Sequence, residues 1–461
     1  VNGKKVLVIG LDCADPGLIF DKWRDRLPAF RKLMERGFYG PLESTIPCIT
    51  VPAWATMTTG KDPGELGFYG FRNRGDYTYD NMKIAMNSAV KAPRVWEILS
   101  GLNKKVIIIG VPQTYPVKPV NGVMVGCFLS PHMGEGFAYP DYLGEEIKNR
   151  FGDYIVDIPD FRSDDKKGLL KRIYEMTEQH FSLVTDFIRR KPWDFFMFVE
   201  IGVDRIHHGF WSYHDPGHYR YHPGNPYESA IFDYYSYLDR QIKKQLDLID
   251  ENTIVMVVSD HGAKRMDGGF CINDWLIAEG YLRLKRDPDG PQPFRMEAVD
   301  WGKTIAWGSG GYYGRINFNV KGREPDGIVL PEEYDKIKSE LIEKIKRLKN
   351  DKALLMKNKV YLPGETYRET NNIPPDLIVY FDDLNWRSIG TVGNLSLYTR
   401  ENDTGPDDAN HARHGIYIQY DPSKDYGGRR ISGLNIKNVA KTMLYNMGVE
   451  HEAMEGEVIR V

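Results

Sequence analysis

A chain of 461 residues with 61 basic and 64 acidic side chains, and a formal net charge of −3 at pH 7, is long enough to bury a large core divided into two or three domain-sized masses. The near balance of charge excludes general nucleic-acid binding through a basic surface, although a local basic patch remains compatible with it. Four scattered cysteines (Cys13, Cys48, Cys127 and Cys271) form no CxxC pair, so they read as reduced, buried thiols of a cytosolic protein rather than a disulfide framework.

In chain order, "VNGKKVLVIGLD" passes into a strand without a signal-peptide pattern, and no apolar run approaches the ~20 residues of a membrane span. The expectation is a soluble, cytoplasmic protein with no membrane partner. Short apolar runs rich in β-branched residues at 5–12, 104–111, 195–204, 253–260, 376–381 and 415–420 read as buried parallel strands. Helical patterns lie between most of them. Residues 27–37 put Leu27, Phe30, Leu33 and Met34 on one face and stop at Gly37. Residues 92–102 carry a proline in their first turn, and 166–190 and 227–249 are long and amphipathic. Residues 265–370 hold Gly-rich turns and a charged helix but no long buried strand. A loop and a closing helix end the chain after 423. This alternation predicts a doubly wound α/β/α sandwich with a mainly parallel central sheet, formed by 1–264 and 371–461, with 265–370 as an inserted cap.

The stretch "PCITVPAWATMTTG" (47–60) reads as a short helix, with Thr50 as a suitable N-cap type, Pro52 in the first turn and Gly60 closing the far end. A helix N-terminus presents unpaired N–H groups and suits a phosphate, and a hydroxyl there is placed to attack one. By itself the segment reads equally as a plain threonine cap.

Three predicted strands end in a metal-competent acid: Asp12, Asp204 and Asp260. His208 follows Asp204 by four residues, and His261 follows Asp260 directly. Ligands of open α/β sheets bind beyond the carboxyl ends of the strands. Each acid alone is explained as a turn or cap former. Together they converge on one sheet edge, where unpaired carboxylates repel and a divalent cation relieves the repulsion. A mixed Asp/His donor set favours zinc, with manganese and iron as alternatives, over magnesium or calcium.

The ordered set "VLVIGLDCAD", "LPAFRKLMERGFYG", "TIPCITVPAWATMTTGKDPGELG", "VDRIHH", "VVSDHG" and "NHARHGIYI" resembles the alkaline phosphatase superfamily, and within it the type I phosphodiesterase and nucleotide pyrophosphatase branch. The resemblance runs from residue 5 to about 418. It implies an alkaline phosphatase-like fold and two divalent metal ions. Asp12, Thr50, Asp260 and His261 would hold one ion, with Thr50 as nucleophile. Asp204, His208 and a late histidine would hold the other, with His411 favoured for that place and His414 as the alternative. The implied substrate is a small phosphodiester or pyrophosphate, nucleotides among the candidates.

One departure bears on specificity. Where this branch carries an asparagine about twenty residues beyond the nucleophile, Phe71 stands in register, so Asn73, beside Arg72 and Arg74, is the candidate oxygen-binding group together with Arg72. Two other readings stand beside the diesterase: a metal-dependent phosphomonoesterase or phosphomutase acting on a sugar phosphate, and a non-catalytic, metal-stabilised binding protein.

Overall fold

The strand Lys5–Leu11 (β1) is buried from Val6 onward, and its alternating side chains feed two separate cores. Leu7, Ile9 and Leu11 enter one; Val6 and Val8 enter the other. Because both faces are covered, β1 reads as a continuous apolar run rather than an alternating one. The computed structural model describes residues 4–131 and 133–461.

Around β1 lie Phe38–Glu43 (β2), Val106–Ile109 (β3), Gly122–Val125 (β4), Ala138–Tyr139 (β5), Phe195–Glu200 (β6), Thr253–Val258 (β7) and His414–Tyr420 (β8). They form a sheet in the order β2-β8-β7-β1-β6-β3-β4-β5, and the short strands Arg429–Arg430 and Leu434–Asn435 both pair with β2. The run β7-β1-β6-β3-β4 is parallel throughout.

On one face pack the helices Pro28–Arg36 (α1), Lys166–Arg190 (α3), Gly202–His214 (α4) and Ala230–Leu246 (α5). On the other pack Thr50–Thr59 (α2), Val95–Gly101 and, near the end of the chain, Lys437–Asn446. This is the α/β/α sandwich with a mainly parallel sheet. α1 shows how sequence and packing combine. Pro28 starts it without losing a hydrogen bond. The buried Asp239 of α5 accepts the N–H groups of Ala29 (3.0 Å) and Phe30 (2.9 Å), so the helix is capped from its neighbour.

Four expectations are corrected. β8 runs antiparallel to both β7 and β2. The run 195–204 is a strand only to Glu200, so Asp204 lies in the first turn of α4 rather than at a strand end. The helix expected over 92–102 begins at Val95, which leaves Pro93 outside it. Leu377–Tyr380, expected in the main sheet, belongs instead to an antiparallel sheet with Ala306–Ser309, Gly314–Phe318 and Lys359–Tyr361. Its two faces are both buried: Leu377 and Val379 pack on a core that extends from Phe270 to Trp386, while Ile378 and Tyr380 pack on Cys48 and Ile49. A doubly buried strand carries no pattern that says which sheet it joins. The boundary expected at 370 therefore falls inside this second sheet, which seats directly on the segment ahead of Thr50.

All four cysteines are free and buried, and among the described residues no helix is long and apolar enough to cross a membrane.

Gly10 marks the tightest contact between β1 and α2. A Cβ there would meet Trp54 Cη2 and Val199 Cγ2 at 2.7 Å. We expect Gly10→Ala to destabilise the fold by about 1–3 kcal/mol through overpacking, read as a lowered denaturant midpoint. An unchanged midpoint would show that Trp54 yields freely.

Candidate active site

The chain leaves β1 through Asp12 and turns sharply at Cys13, whose backbone is left-handed (φ 67°), a conformation uncommon outside glycine. The turn aims the Cys13 N–H at Asp260 Oδ1 (3.2 Å). Asp260 and His261 follow β7, the neighbouring parallel strand, so the two strand ends bring their acids together. Asp12, Asp260 and His261 are fully buried, with His261 Nε2 3.1 Å from Asp260 Oδ2 and 3.8 Å from Asp12 Oδ1.

Thr50 is the first residue of α2, and Ile49 takes the N-cap position expected of it. Its hydroxyl caps nothing; it lies 3.4 Å from His261 Nε2. On α4, Asp204 and His208 share a face at i and i+4, with His208 Nε2 3.1 Å from Asp204 Oδ1. His411 Nε2 lies 3.8 Å from the same oxygen, and the His411 ring stacks on His261 at 3.8 Å between centroids. His414, exposed at the start of β8, is paired with Glu43 of β2 and lies outside this cluster. Of the two late histidines, the fold brings in His411.

Each histidine is anchored through Nδ1. His261 pairs with the Gly262 carbonyl (3.1 Å), His411 with the Cys48 carbonyl (3.1 Å) and His208 with Asp407 Oδ1 (2.7 Å). Those acceptors put the proton on Nδ1 and leave Nε2 turned inward, the arrangement that orients metal-ligating imidazoles. The acids are anchored likewise. Trp54 Nε1 donates to Asp12 Oδ2 (2.8 Å), and Arg205 Nη1 pairs with Asp204 Oδ2.

What remains is a set of buried atoms with no hydrogen-bond partner among the described residues: Asp12 Oδ1, Asp204 Oδ1, Asp260 Oδ2 and His208 Nε2. Orphaned acceptors at this density are costly, and a divalent cation satisfies them. Ligand atoms of Asp12, Asp260 and His261 lie within 4.8 Å of one another, and so do those of Asp204, His261 and His411. The donor set thus fits metal ions.

The electrostatics show how strongly these groups perturb one another without a cation. Burial, then the charge of Asp204, pushes the Asp12 carboxyl up to about 8, and burial with Asp12 beside it pushes Asp260 well above the usual carboxylate range. Burial drives His261 down to about 4. Burial would also depress His208, but the carboxylates of Asp204 and Asp407 outweigh it and raise the ring to about 9. Burial opposes the charge on Asp204, yet His208 and Arg205 hold it well below its ordinary value.

A cavity of about 490 Å³ opens over Thr50, Asp204 and His411, walled by Phe71, Phe128, Phe161 and Tyr312 and by several arginines. Arg72 lines it. Asn73, expected beside Arg72 as an oxygen-binding group, is not brought there: its amide accepts from the Tyr69 N–H (2.7 Å) and donates to the Gly70 carbonyl (3.0 Å), closing its own loop.

Several residues of this site were not picked out from the sequence. Asp407, fully buried, takes His208 on one oxygen and Arg162 (2.9 Å) and the Tyr312 hydroxyl (3.1 Å) on the other. Its position four residues before His411, in "DDANH", was the available signal. Tyr312 stacks on His208 and lies tilted against His411 (4.2 Å between centroids); in the sequence it sits within a Gly-rich turn. We expect Asp407→Asn to lower zinc affinity about 10–100-fold while the fold persists, measured by titration against a competing chelator; unchanged affinity would remove Asp407 from this role.

The profile of the type I phosphodiesterase / nucleotide pyrophosphatase family matches residues 6–408. The chain belongs to this family. It is accordingly a phosphoric ester hydrolase of the alkaline phosphatase superfamily. Its fold is similar to that of human ectonucleotide pyrophosphatase / phosphodiesterase 5, with a TM-score of 0.56 at 12% identity over 98% of this chain and 97% of that one. The murine protein of the same name, solved as an inactive variant in complex with AMP, gives a TM-score of 0.55 at 12% identity over 98% and 96%. No curated protein matches the sequence.

Proposed function

We propose that this member of the type I phosphodiesterase / nucleotide pyrophosphatase family is a two-metal enzyme that cleaves small phosphodiesters or pyrophosphates through Thr50. The observation that carries the reading is the Thr50 hydroxyl, free of any capping role, 3.4 Å from His261 Nε2 and open to the cavity. Asp12, Thr50, Asp260 and His261 would hold one ion, and Asp204, His208 and His411 the other; orphaned atoms on Asp12 and Asp260 in the first set and on Asp204 and His208 in the second support a cation at each. Zinc is favoured by the Asp/His donors, with manganese and iron as alternatives. The bound ions would lower the pKa of the threonine hydroxyl and neutralise the phosphate oxygens.

The chain's own residues do the rest. His261, fixed through Gly262, and Asp12, fixed through Trp54, hold the nucleophile's surroundings rigid. Thr50 Oγ1 gives up its proton to solvent and forms a bond to phosphorus as the bond to the leaving oxygen breaks, and that oxygen takes a proton from solvent in turn. Water then cleaves the phospho-threonine and restores the hydroxyl. A nucleotide substrate is supported by the family and by AMP in the murine relative. A cytoplasmic location is supported by the four free, buried thiols.

One observation favours the second reading, a phosphomonoesterase or phosphomutase. Phe71 stands where an oxygen-binding asparagine is expected, and arginines line the same wall, which suits a doubly charged monoester. The non-catalytic reading has to explain a retained Thr50. Zinc-reconstituted protein should hydrolyse bis(4-nitrophenyl) phosphate with kcat/KM at least about 10-fold above 4-nitrophenyl phosphate. The reverse order selects the monoesterase, and no turnover of either selects the binding protein.

A further inference from the structure

The arginines of the active-site cavity divide by partner. Arg205 is neutralised by Asp157 through two bonds of 2.7 Å, and Arg162 by Asp407. Arg72 and Arg315 differ. Among the described residues neither has a carboxylate within ion-pair distance, and Arg315 Nη1 donates only to the Arg72 backbone carbonyl (2.8 Å). That bond holds the two residues side by side, Arg72 exposed at the mouth and Arg315 half-buried within. Deeper in the cavity, Arg387 is buried. Its Nη atoms meet Asp403 (3.3 Å), Asp407 (3.9 Å) and Thr404 (3.4 Å), so its charge is balanced, but among the described residues its Nε has no partner and is its one free donor.

Two arginines lining one cavity without counter-ions leave positive charge uncompensated there, and an unpaired buried guanidinium N–H is costly. Both facts make sense if an anion completes the group. The neighbouring wall cannot compete for that anion, because Phe71 packs edge-on against Phe128 (5.9 Å between centroids) and presents carbon. Planar guanidiniums also match phosphate oxygens in geometry.

We propose that Arg72, Arg315 and Arg387 form a second anion subsite, so that the substrate is a phosphoester bearing a further phosphate group besides the one attacked at Thr50. The inference rests on the phosphohydrolase reading above and adds the substrate's charge pattern to it. Arg162 and Arg205, already paired, serve as structural charges of the wall, and the aromatic side chains between the two ends bind the uncharged middle of the substrate.

The test uses two esters that differ only in the second phosphate: thymidine 5′-(4-nitrophenyl phosphate) and its 3′-phosphorylated form. Both release 4-nitrophenolate from the same phosphorus. In zinc-loaded wild-type protein the 3′-phosphorylated ester should show kcat/KM about 10-fold higher or more, chiefly through KM. In Arg72→Gln/Arg315→Gln that ratio should fall to about 1–2, and in Arg72→Lys/Arg315→Lys it should recover in part, because charge returns without the planar fork. Reading a ratio within one protein separates the subsite from any general loss of folding or metal. A wild-type ratio near 1, or one that survives the double glutamine variant, overturns the subsite. If neither ester is hydrolysed, the phosphohydrolase reading fails by itself. The subsite is then decided by calorimetry with thymidine 3′,5′-bisphosphate against thymidine 5′-monophosphate. Tighter bisphosphate binding that is lost in the double glutamine variant upholds it, and equal affinities overturn it.

Discussion

Thr50→Ala should lower turnover by about 10³-fold or more and leave the fold intact. The hydroxyl makes no capping bond, and among the described residues its single polar contact is His261 Nε2 at 3.4 Å, so its removal withdraws little from stability. A helix-cap loss would cost only about 1 kcal/mol in any case. Thr50→Ser should retain part of the activity because the attacking oxygen survives. The later threonines of α2 should tolerate alanine far better: the Thr58 and Thr59 hydroxyls return to α2's own carbonyls, at 2.8 Å to Trp54 and 2.7 Å to Ala55. Initial rates beside far-UV circular dichroism decide the matter. Wild-type rates in Thr50→Ala would mean that water attacks the phosphorus directly. A dead Thr56→Ala with an active Thr50→Ala would place the nucleophile a turn further along the helix.

The second large effect concerns metal. Exhaustive chelation should remove activity by about 10³-fold or more, and zinc should restore it with two ions bound per chain by elemental analysis. Stability should follow occupancy. A ligand present at 100 times its dissociation constant adds about 2.7 kcal/mol to a native state that alone can bind it, so the melting temperature should rise with zinc. The stabilisation arises because Asp12, Asp204 and Asp260 crowd together with acceptor atoms that no protein group satisfies. Asp204→Ala should abolish binding at one of the two sites and lower stoichiometry to one. Full activity after chelation, or a single ion in the wild-type chain, would refute the arrangement.

The first group of candidate ligands was legible because it is written locally. Asp12, Asp260 and His261 follow apolar runs whose length and composition mark parallel strands, and the carboxyl ends of adjacent parallel strands meet at one edge of the sheet. Asp204 and His208 were legible as a pair even though their element was misassigned, since a spacing of four brings side chains together once the chain is helical. Thr50 was legible as the opening of α2, although not as a residue free of the cap.

Everything that depends on which segments meet was left to the tertiary structure. The sequence favours His411 over His414 but leaves both open. Only the pairing of Ala409–Ala412 with Gly262–Arg265 carries His411 against His261, and the pairing of β8 with β2 holds His414 at the surface. Trp54 reaches Asp12 across 42 residues, Asp407 reaches His208 across 199, and Tyr312 reaches Asp407 across 95. No local period encodes such contacts. Asn73 was lost to the cavity because its amide serves a nearer turn, and Leu377–Tyr380 joined the second sheet because burial on both faces erases the pattern that would have assigned it. Local chemistry in the sequence determined which residues are candidates to bind metal and to attack phosphorus. Long-range packing decided which atoms face the site, which are held rigid, and which arginines remain without a partner.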